Sequence, residues 1–253
     1  MNELGTCSPE PLQTKDSFRF RCHPGVPCFL VCCRNVRMLL YPYDVLRLKQ
    51  CLRMHSADFL ARHVELCEGS HQYFPGLKLR LSEQEGNPCP FLTEEGCGVY
   101  QDRPSACRTY PLERGVRKET QQAGLTSLYF LTRHPWCKGH EEPHQYTLRQ
   151  WEREQELYDW NLYNDYWAEL DAFFSRNPWA GEGKAGPLQQ LAFMVCYNID
   201  AFRAYTEEHR LVEQYRLQKN ERRALQNSDA ALLVFGFKWL EGVLGGRKQL
   251  LAR

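Results

Sequence analysis

Twelve cysteines in a chain of 253 residues constrain this sequence more than any other feature. Eleven of them lie before residue 138, and only Cys196 comes later. Thiols used merely as small core hydrophobes would not be spread so unevenly. In a small secreted domain such a count reads as a disulfide framework, whereas in a reducing compartment it points to metal ligation or redox chemistry. The first twenty residues, MNELGTCSPEPLQTKDSFRF, lack a basic start and a continuous apolar stretch, so no signal peptide is expected. The apolar run Ala230–Phe237 is far short of the roughly 20 residues that cross a bilayer. The expectation is a cytoplasmic protein with reduced thiols and no membrane partner. A net charge of +1 gives no long-range reason to expect nucleic acid either.

The cysteines fall into groups. The first is Cys22-x5-Cys28-x3-Cys32-Cys33, and the second is Cys89-Pro-Phe-Leu-x4-Cys97-Gly-Val-Tyr-x2-Arg-Pro-x2-Cys107-Arg-Thr-Tyr-Pro. Cys137 stands alone in His134-Pro-Trp-Cys137-Lys-Gly-His140. Ligands a few residues apart close on a metal from one loop and lose little chain entropy in doing so. Pro27, Pro88 and Pro90, next to ligand positions, restrict those loops further. The neighbours Cys32 and Cys33 need not ligate the same atom, and serve either two irons of one cluster or two separate sites.

All-thiolate sets select zinc, iron in iron–sulfur clusters, or Cu(I). One site takes four thiolates, so eight allow two four-cysteine sites or one multinuclear site. A structural zinc usually takes paired C-x2-4-C knuckles, and only loosely matched pairs occur here. The irregular spacing favours iron–sulfur, of the 4Fe-4S type in one or two copies, with zinc as the alternative. Arg103 and Arg108 are either donors to such a negatively charged centre or plain surface residues. His134 and His140 flank Cys137 and are additional candidate ligands, as is Cys67. Cys51 and Cys196 are expected to be buried thiols, Cys7 exposed, and His55, His63 and His209 on helix surfaces.

The local patterns point to an α+β protein: an irregular cysteine-rich metal-binding domain with a small β-sheet over 18–140, and a mainly helical region over 145–253 packed on it. Residues 1–17 read as a flexible polar lead-in, and Phe18–Cys33 as a ligand loop. Pro42 suits the first turn of a helix carrying Val45, Leu48 and Leu52 on one face, and Ser56 suits the N-cap of another. Leu77–Leu81 alternates as a strand does, with 96–100 and 126–132 as expected partners. Thr147-x-x-Gln150 is a capping box, followed by an apolar stripe through Trp151, Tyr158, Leu162, Tyr166, Leu170 and Phe173. After a break at 177–186, helical stretches are expected over 188–217 and 228–244.

Three segments resemble the bacterial CxxCxxCC, or YkgJ-like, family of zinc- or iron-chelating domains: FRCHPGVPCFLVCC, YPYDVLRLK and CPFLTEEGCGVYQDRPSACRTYPL. WCKGH with TLRQWEREQELYDWN is similar to an extension found in one branch of that family. The flagellin lysine methylases, which depend on an iron–sulfur cluster, show a more distant likeness. The resemblance implies metal binding and marks Cys22, Cys28, Cys32, Cys33, Cys89, Cys97, Cys107 and Cys137; it implies a reaction only weakly.

No Gly-rich phosphate loop, G-x-S-x-G elbow or dinucleotide fingerprint is present, so whether the chain is an enzyme stays open. Cys28-x3-Cys32-Cys33 matches the triad of radical S-adenosylmethionine chemistry only in part. The candidate functions are a redox or protein-modifying enzyme or its accessory subunit, a zinc-folded protein-interaction module, and a metal storage or delivery protein. The expected partner is a protein substrate or a redox partner.

Overall fold

The computed structural model describes residues 6–119 and 124–253. The strands are β1 (Thr6–Cys7), β2 (Ser17–Arg19), β3 (Leu39–Leu40), β4 (Val64–Cys67), β5 (Gly76–Leu79), β6 (Leu112–Lys118), β7 (Leu125–Arg133) and β8 (Gln145–Thr147). The helices are α1 (Pro42–Cys51), α2 (Ser56–His63), α3 (Ser105–Thr109), α4 (Leu148–Glu154), α5 (Leu157–Phe174), α6 (Pro187–Tyr197), α7 (Ile199–Glu208), α8 (Lys219–Asn227) and α9 (Asp229–Val243). This is an α+β architecture with small antiparallel sheets and a mainly helical C-terminal half. None of the described helices is long and apolar enough to cross a membrane.

The chain divides into two compact units, each built from two segments. One combines residues 1–38 with 81–165 and contains all eight candidate ligand cysteines. It is called the cysteine unit below. Its main sheet has the order β1-β7-β6, with β6 and β7 paired from Leu112↔Leu131 to Lys118↔Leu125. A second ladder pairs β2 with β8. Phe18, Phe20, Leu112, Tyr129, Trp151 and Leu157 form the core, and Cys137 belongs to it. Fully burying one such large apolar side chain is worth about 1.5–3 kcal/mol.

The other unit combines 39–80 with 166–253 and is called the helical unit. Its α1 begins as the sequence indicates, with Pro42 in the first turn, Val45 and Leu48 buried, and Asp44 closing a capping box with Tyr41. The β3-β5-β4 sheet buries Leu77 and Leu79 on one face. Phe74 packs against Phe174 at 4.8 Å and Trp179 at 5.8 Å between ring centroids. Lys49, only 7% exposed, reaches Asp200 at 3.0 Å and Asp229 at 3.4 Å. Asp200 also accepts from the Ser56 amide and hydroxyl, both at 2.7 Å. The buried ammonium is therefore paired and hydrogen-bonded, which offsets its desolvation.

Several expectations need correction. The lead-in is tied down where it is described: β1 pairs with β7, and the Leu12 amide donates to the Tyr129 carbonyl at 2.7 Å. Its first five residues lie outside the described residues. The partners of β5 are β3 and β4, not 96–100. Gly96, with φ 142, turns that segment back so that it makes a single bridge, Leu92↔Cys97. Residues 126–132 lie within β7 but pair with β6 and β1.

The helical periodicity was also offset. Tyr158 is 78% exposed and Leu162 is exposed, while Leu157, Trp160, Trp167, Leu170 and Phe174 are buried. The helix is interrupted at Gln155–Glu156, where Glu156 has φ 51, so the phase set by Trp151 does not carry through. The stretch 188–217 is divided at Asn198, whose side chain accepts from Ala201 N and caps α7. His55, not Ser56, caps α2, because the Ser56 hydroxyl is engaged by Asp200. Cys51 is exposed at the end of α1 and Cys67 lies on β4 after the helix, whereas Cys196 is buried and Cys7 exposed as expected.

Candidate metal centre

The first ligand loop leaves β2 between two buried anchors, Phe18 and Phe20. Consecutive turns then carry the chain onward: Val26 N donates to His23 O, Phe29 N to Val26 O and Val31 N to Cys28 O. They end in a 3-10 turn over Val31–Cys33. Two hydrogen bonds tie this loop to the distant Cys137 segment. Arg21 N donates to Gly139 O at 3.0 Å, and Lys138 N donates to the Cys28 thiol at 3.0 Å. A Cβ on Gly139 would meet the Phe20 ring at 2.7 Å and Arg21 O at 2.9 Å, so this approach requires glycine.

The second ligand segment is joined to Cys33. Cys89 N donates to Cys33 O at 2.8 Å, Arg34 bridges Pro88, and Asn87 Nδ2 donates to Asn35 Oδ1 at 2.7 Å. The Leu92↔Cys97 bridge and Gly98 N donating to Phe91 O at 2.8 Å fold Cys97 back toward Cys89. Cys107 follows on the short α3, with its sulfur 3.8 Å from Met38 Sδ.

Electrostatic contacts connect all eight thiols. Cys22 is within reach of Cys28, Cys33 and Cys137; Cys32 of Cys22, Cys33 and Cys107; Cys89 of Cys33 and Cys97. Cys22 has an exposed side but is crowded by protein on the other. That burial, with the neighbouring thiols, pushes it up to about 11. Burial also raises Cys89 to about 11 and raises Cys97 and Cys137. Cys32 and Cys33 share a hydrogen bond that holds Cys32 high and brings Cys33 down to about 7, with Arg34 assisting. A soft cation relieves this arrangement, because it replaces protons on thiols that burial and mutual repulsion keep protonated.

The donor set therefore fits zinc or an iron–sulfur centre chemically. Among the described residues, no three Cys, His, Asp or Glu side chains already converge on one ion-sized point.

Arg103 and Arg108 are buried rather than surface residues. Arg108 is 1% exposed, lies over the Trp160 ring at 3.9 Å, and donates to the carbonyls of Gln101 and Gln155, the latter at 2.6 Å. Arg103 donates to Tyr100 O and to Gln155 Oε1 at 2.6 Å, with its charge close enough to Cys97 to favour the thiolate. Trp151 Nε1 donates to Thr109 O at 3.0 Å. The helix break at Gln155–Glu156 thus supplies acceptors that hold the Cys97–Cys107 segment in place.

His134 stacks on Trp136 at 4.9 Å and on Tyr110 at 6.0 Å, while His140 packs on Phe20 at 5.3 Å, and burial lowers its pKa. Tyr110 and Gln155 were missed from the sequence. The Tyr110 hydroxyl is buried near Cys137 without a hydrogen-bond partner among the described residues, and burial with the neighbouring thiols pushes its pKa well up. Tyr110 had a signal, its place in the Arg-x-Tyr-Pro tail of the second cysteine group. Gln155 had none, since nothing local marks it as an arginine acceptor. Cys7, Cys51, Cys67 and Cys196 stand outside the thiol network; Cys67 and Cys196 neighbour Tyr197 in the helical unit.

No match to this chain was found among curated proteins or among solved structures. Residues 21–138 match the model of the family CxxCxxCC, described as a "putative zinc- or iron-chelating domain". The match spans the whole thiol network, from Cys22 to Cys137, and stops short of α4 and everything after it. Over residues 21–138, just under half of its length, the chain is similar to the CxxCxxCC family.

Proposed function

We propose that the cysteine unit holds iron–sulfur of the 4Fe-4S type, in one or two copies, on thiols drawn from Cys22, Cys28, Cys32, Cys33, Cys89, Cys97, Cys107 and Cys137, and that the chain serves a redox or protein-modifying reaction as enzyme or accessory subunit. The observation that carries the reading is the sulfur-only network: eight thiols from three separated stretches of chain, each within electrostatic reach of another. Sulfur-only donors exclude the hard cations, and the irregular spacing with adjacent Cys32 and Cys33 suits a multinuclear centre. Such a centre supplies electron transfer or an open iron position when bound.

The chain's own residues do the rest. Arg103 and Arg108 hold the Cys97–Cys107 segment through Gln155, and Arg103 places positive charge beside Cys97. Cys28 accepts the Lys138 amide, a backbone donor to sulfur of the kind that tunes such centres. The apolar core around Phe20, Tyr110 and Cys137 limits water on that side. A protein substrate or redox partner is the proposed counterpart.

Metal and acid-labile sulfide analysis of protein purified without oxygen tests this. Iron with matching sulfide, and broad absorption near roughly 400 nm from thiolate-to-iron charge transfer, is the expected result. Stoichiometric zinc without sulfide would replace the reading with a zinc-folded interaction module.

A further inference from the structure

The eight thiols share one unit, but the bonds that gather them fall into two groups. Arg21–Gly139 and Lys138–Cys28 bring the Cys22–Cys28 loop to Cys137. Cys89–Cys33, Arg34–Pro88 and Leu92–Cys97 bring the second segment to Cys33. None of these bonds links Cys137 or Cys28 to Cys89 or Cys97.

The surroundings divide in the same way. Tyr110 faces the first group, with its hydroxyl against Cys137 and with Cys28 and Cys32 near it. Arg34 and Arg103 accompany the second, beside Cys33 and Cys97. The first group is thus flanked by an aromatic hydroxyl in an apolar core, and the second by two guanidinium groups.

From this division we infer two metal centres, adjoining at the Cys32–Cys33 peptide. Cys22, Cys28 and Cys137 hold the first and Cys33, Cys89 and Cys97 the second, while Cys32 and Cys107, which neighbour each other at the boundary, supply the fourth thiol of one centre each. Four thiolates each match what a single zinc or a four-iron cluster takes. The contact between the Cys32 and Cys33 thiols makes the centres immediate neighbours. The inference rests on the reading of these thiols as ligands, but not on which metal they hold.

The test counts metal per full-length chain and then removes one ligand at a time. Wild-type protein is expected to hold about eight irons with matching sulfide, or about two zincs, per chain. Cys89→Ser and Cys137→Ser are each expected to retain about half of that, and the double variant almost none. The element found reports on the metal, while the count and its halving report on the number of centres. About four irons or one zinc in the wild type would overturn the inference. So would either single variant losing all its metal with its circular dichroism unchanged. Should either variant fail to fold, the wild-type count decides alone.

Discussion

The helical unit and the cysteine unit offset the entropy of chain ordering in different ways. The helical unit does it with apolar burial: Phe74, Trp167, Phe174, Trp179 and Tyr197 lie in mutual ring contact, and helices supply most of its backbone hydrogen bonds. The cysteine unit has a smaller core, and the segment from Phe20 to Met38 contains only one short 3-10 turn. Ordering a residue costs about 1–2 kcal/mol, so loops of this length need a compensating source of free energy. Metal ligation is the source that eight gathered thiols offer. One unit is therefore expected to be folded by its side-chain core and the other by its ligand.

The strongest way to break that comparison is to remove the metal. Chelation is expected to abolish hydrogen-exchange protection over 21–38 and 88–110 while 42–51 and 187–208 stay protected. The loss is on the order of 10 kcal/mol for a structural site. Equal loss in both units would erase the distinction. Next in size, Phe174→Ala should cost about 3–5 kcal/mol in denaturant unfolding of the helical unit, with metal content unchanged.

Lys49→Met should cost about 3 kcal/mol, because it leaves Asp200 and Asp229 without their shared cation. The same network sets an acid limit. Burial opposes ionisation of Asp200, but the Ser56 hydroxyl and amide and the Lys49 ammonium outweigh it and hold the carboxyl low. A depressed carboxylate stabilises the fold above its unfolded pKa of about 3.9, and this contribution is lost as pH falls through the lower folded value. Thermal unfolding of the helical unit should therefore weaken below about pH 4, and less steeply in Lys49→Met.

Arg108→Lys should cost about 2 kcal/mol in the cysteine unit, since lysine cannot reach both the Gln101 and Gln155 carbonyls. Metal occupancy should fall at lower denaturant than in the wild type, while the helical unit's transition stays in place. The smallest effect sharpens the helix assignment. Tyr158→Ser should stay within about 0.5 kcal/mol, whereas Leu157→Ala one position away should cost about 2–5 kcal/mol.

These contrasts follow the boundary between what local sequence encodes and what it does not. Pro42 and the Thr147/Gln150 capping box mark real helix starts, because caps and first turns are local chemistry. The alternation at Leu77–Leu79 marks a real strand, but its partner β3 is two residues long and carries no pattern of its own. The stripe through Tyr158 assumed an unbroken helix, and nothing in Gln155-Glu156 announces the interruption. Lys49 and Asp200 are 151 positions apart, so no window contains both. At the site, the cysteine groups stood out by type and spacing. The burial of Arg103 and Arg108 against Gln155 did not, since it depends on packing between segments about fifty residues apart.

The pairing of β3 with β5 has a consequence for the thiols. Residues 34–88 separate Cys33 from Cys89, and bringing the ends of so long a segment together is entropically costly. Leu40 pairs with Leu77, so this zipper fastens the base of the long excursion and leaves only short arms, 34–38 and 80–88, to be closed. By the logarithmic law of loop closure this lowers the cost of joining Cys33 to Cys89 by about 1 kcal/mol. Two residues of ladder, neither of them a cysteine, thus act as a drawstring on the ligand loops: loosening them would weaken metal retention without touching a single sulfur.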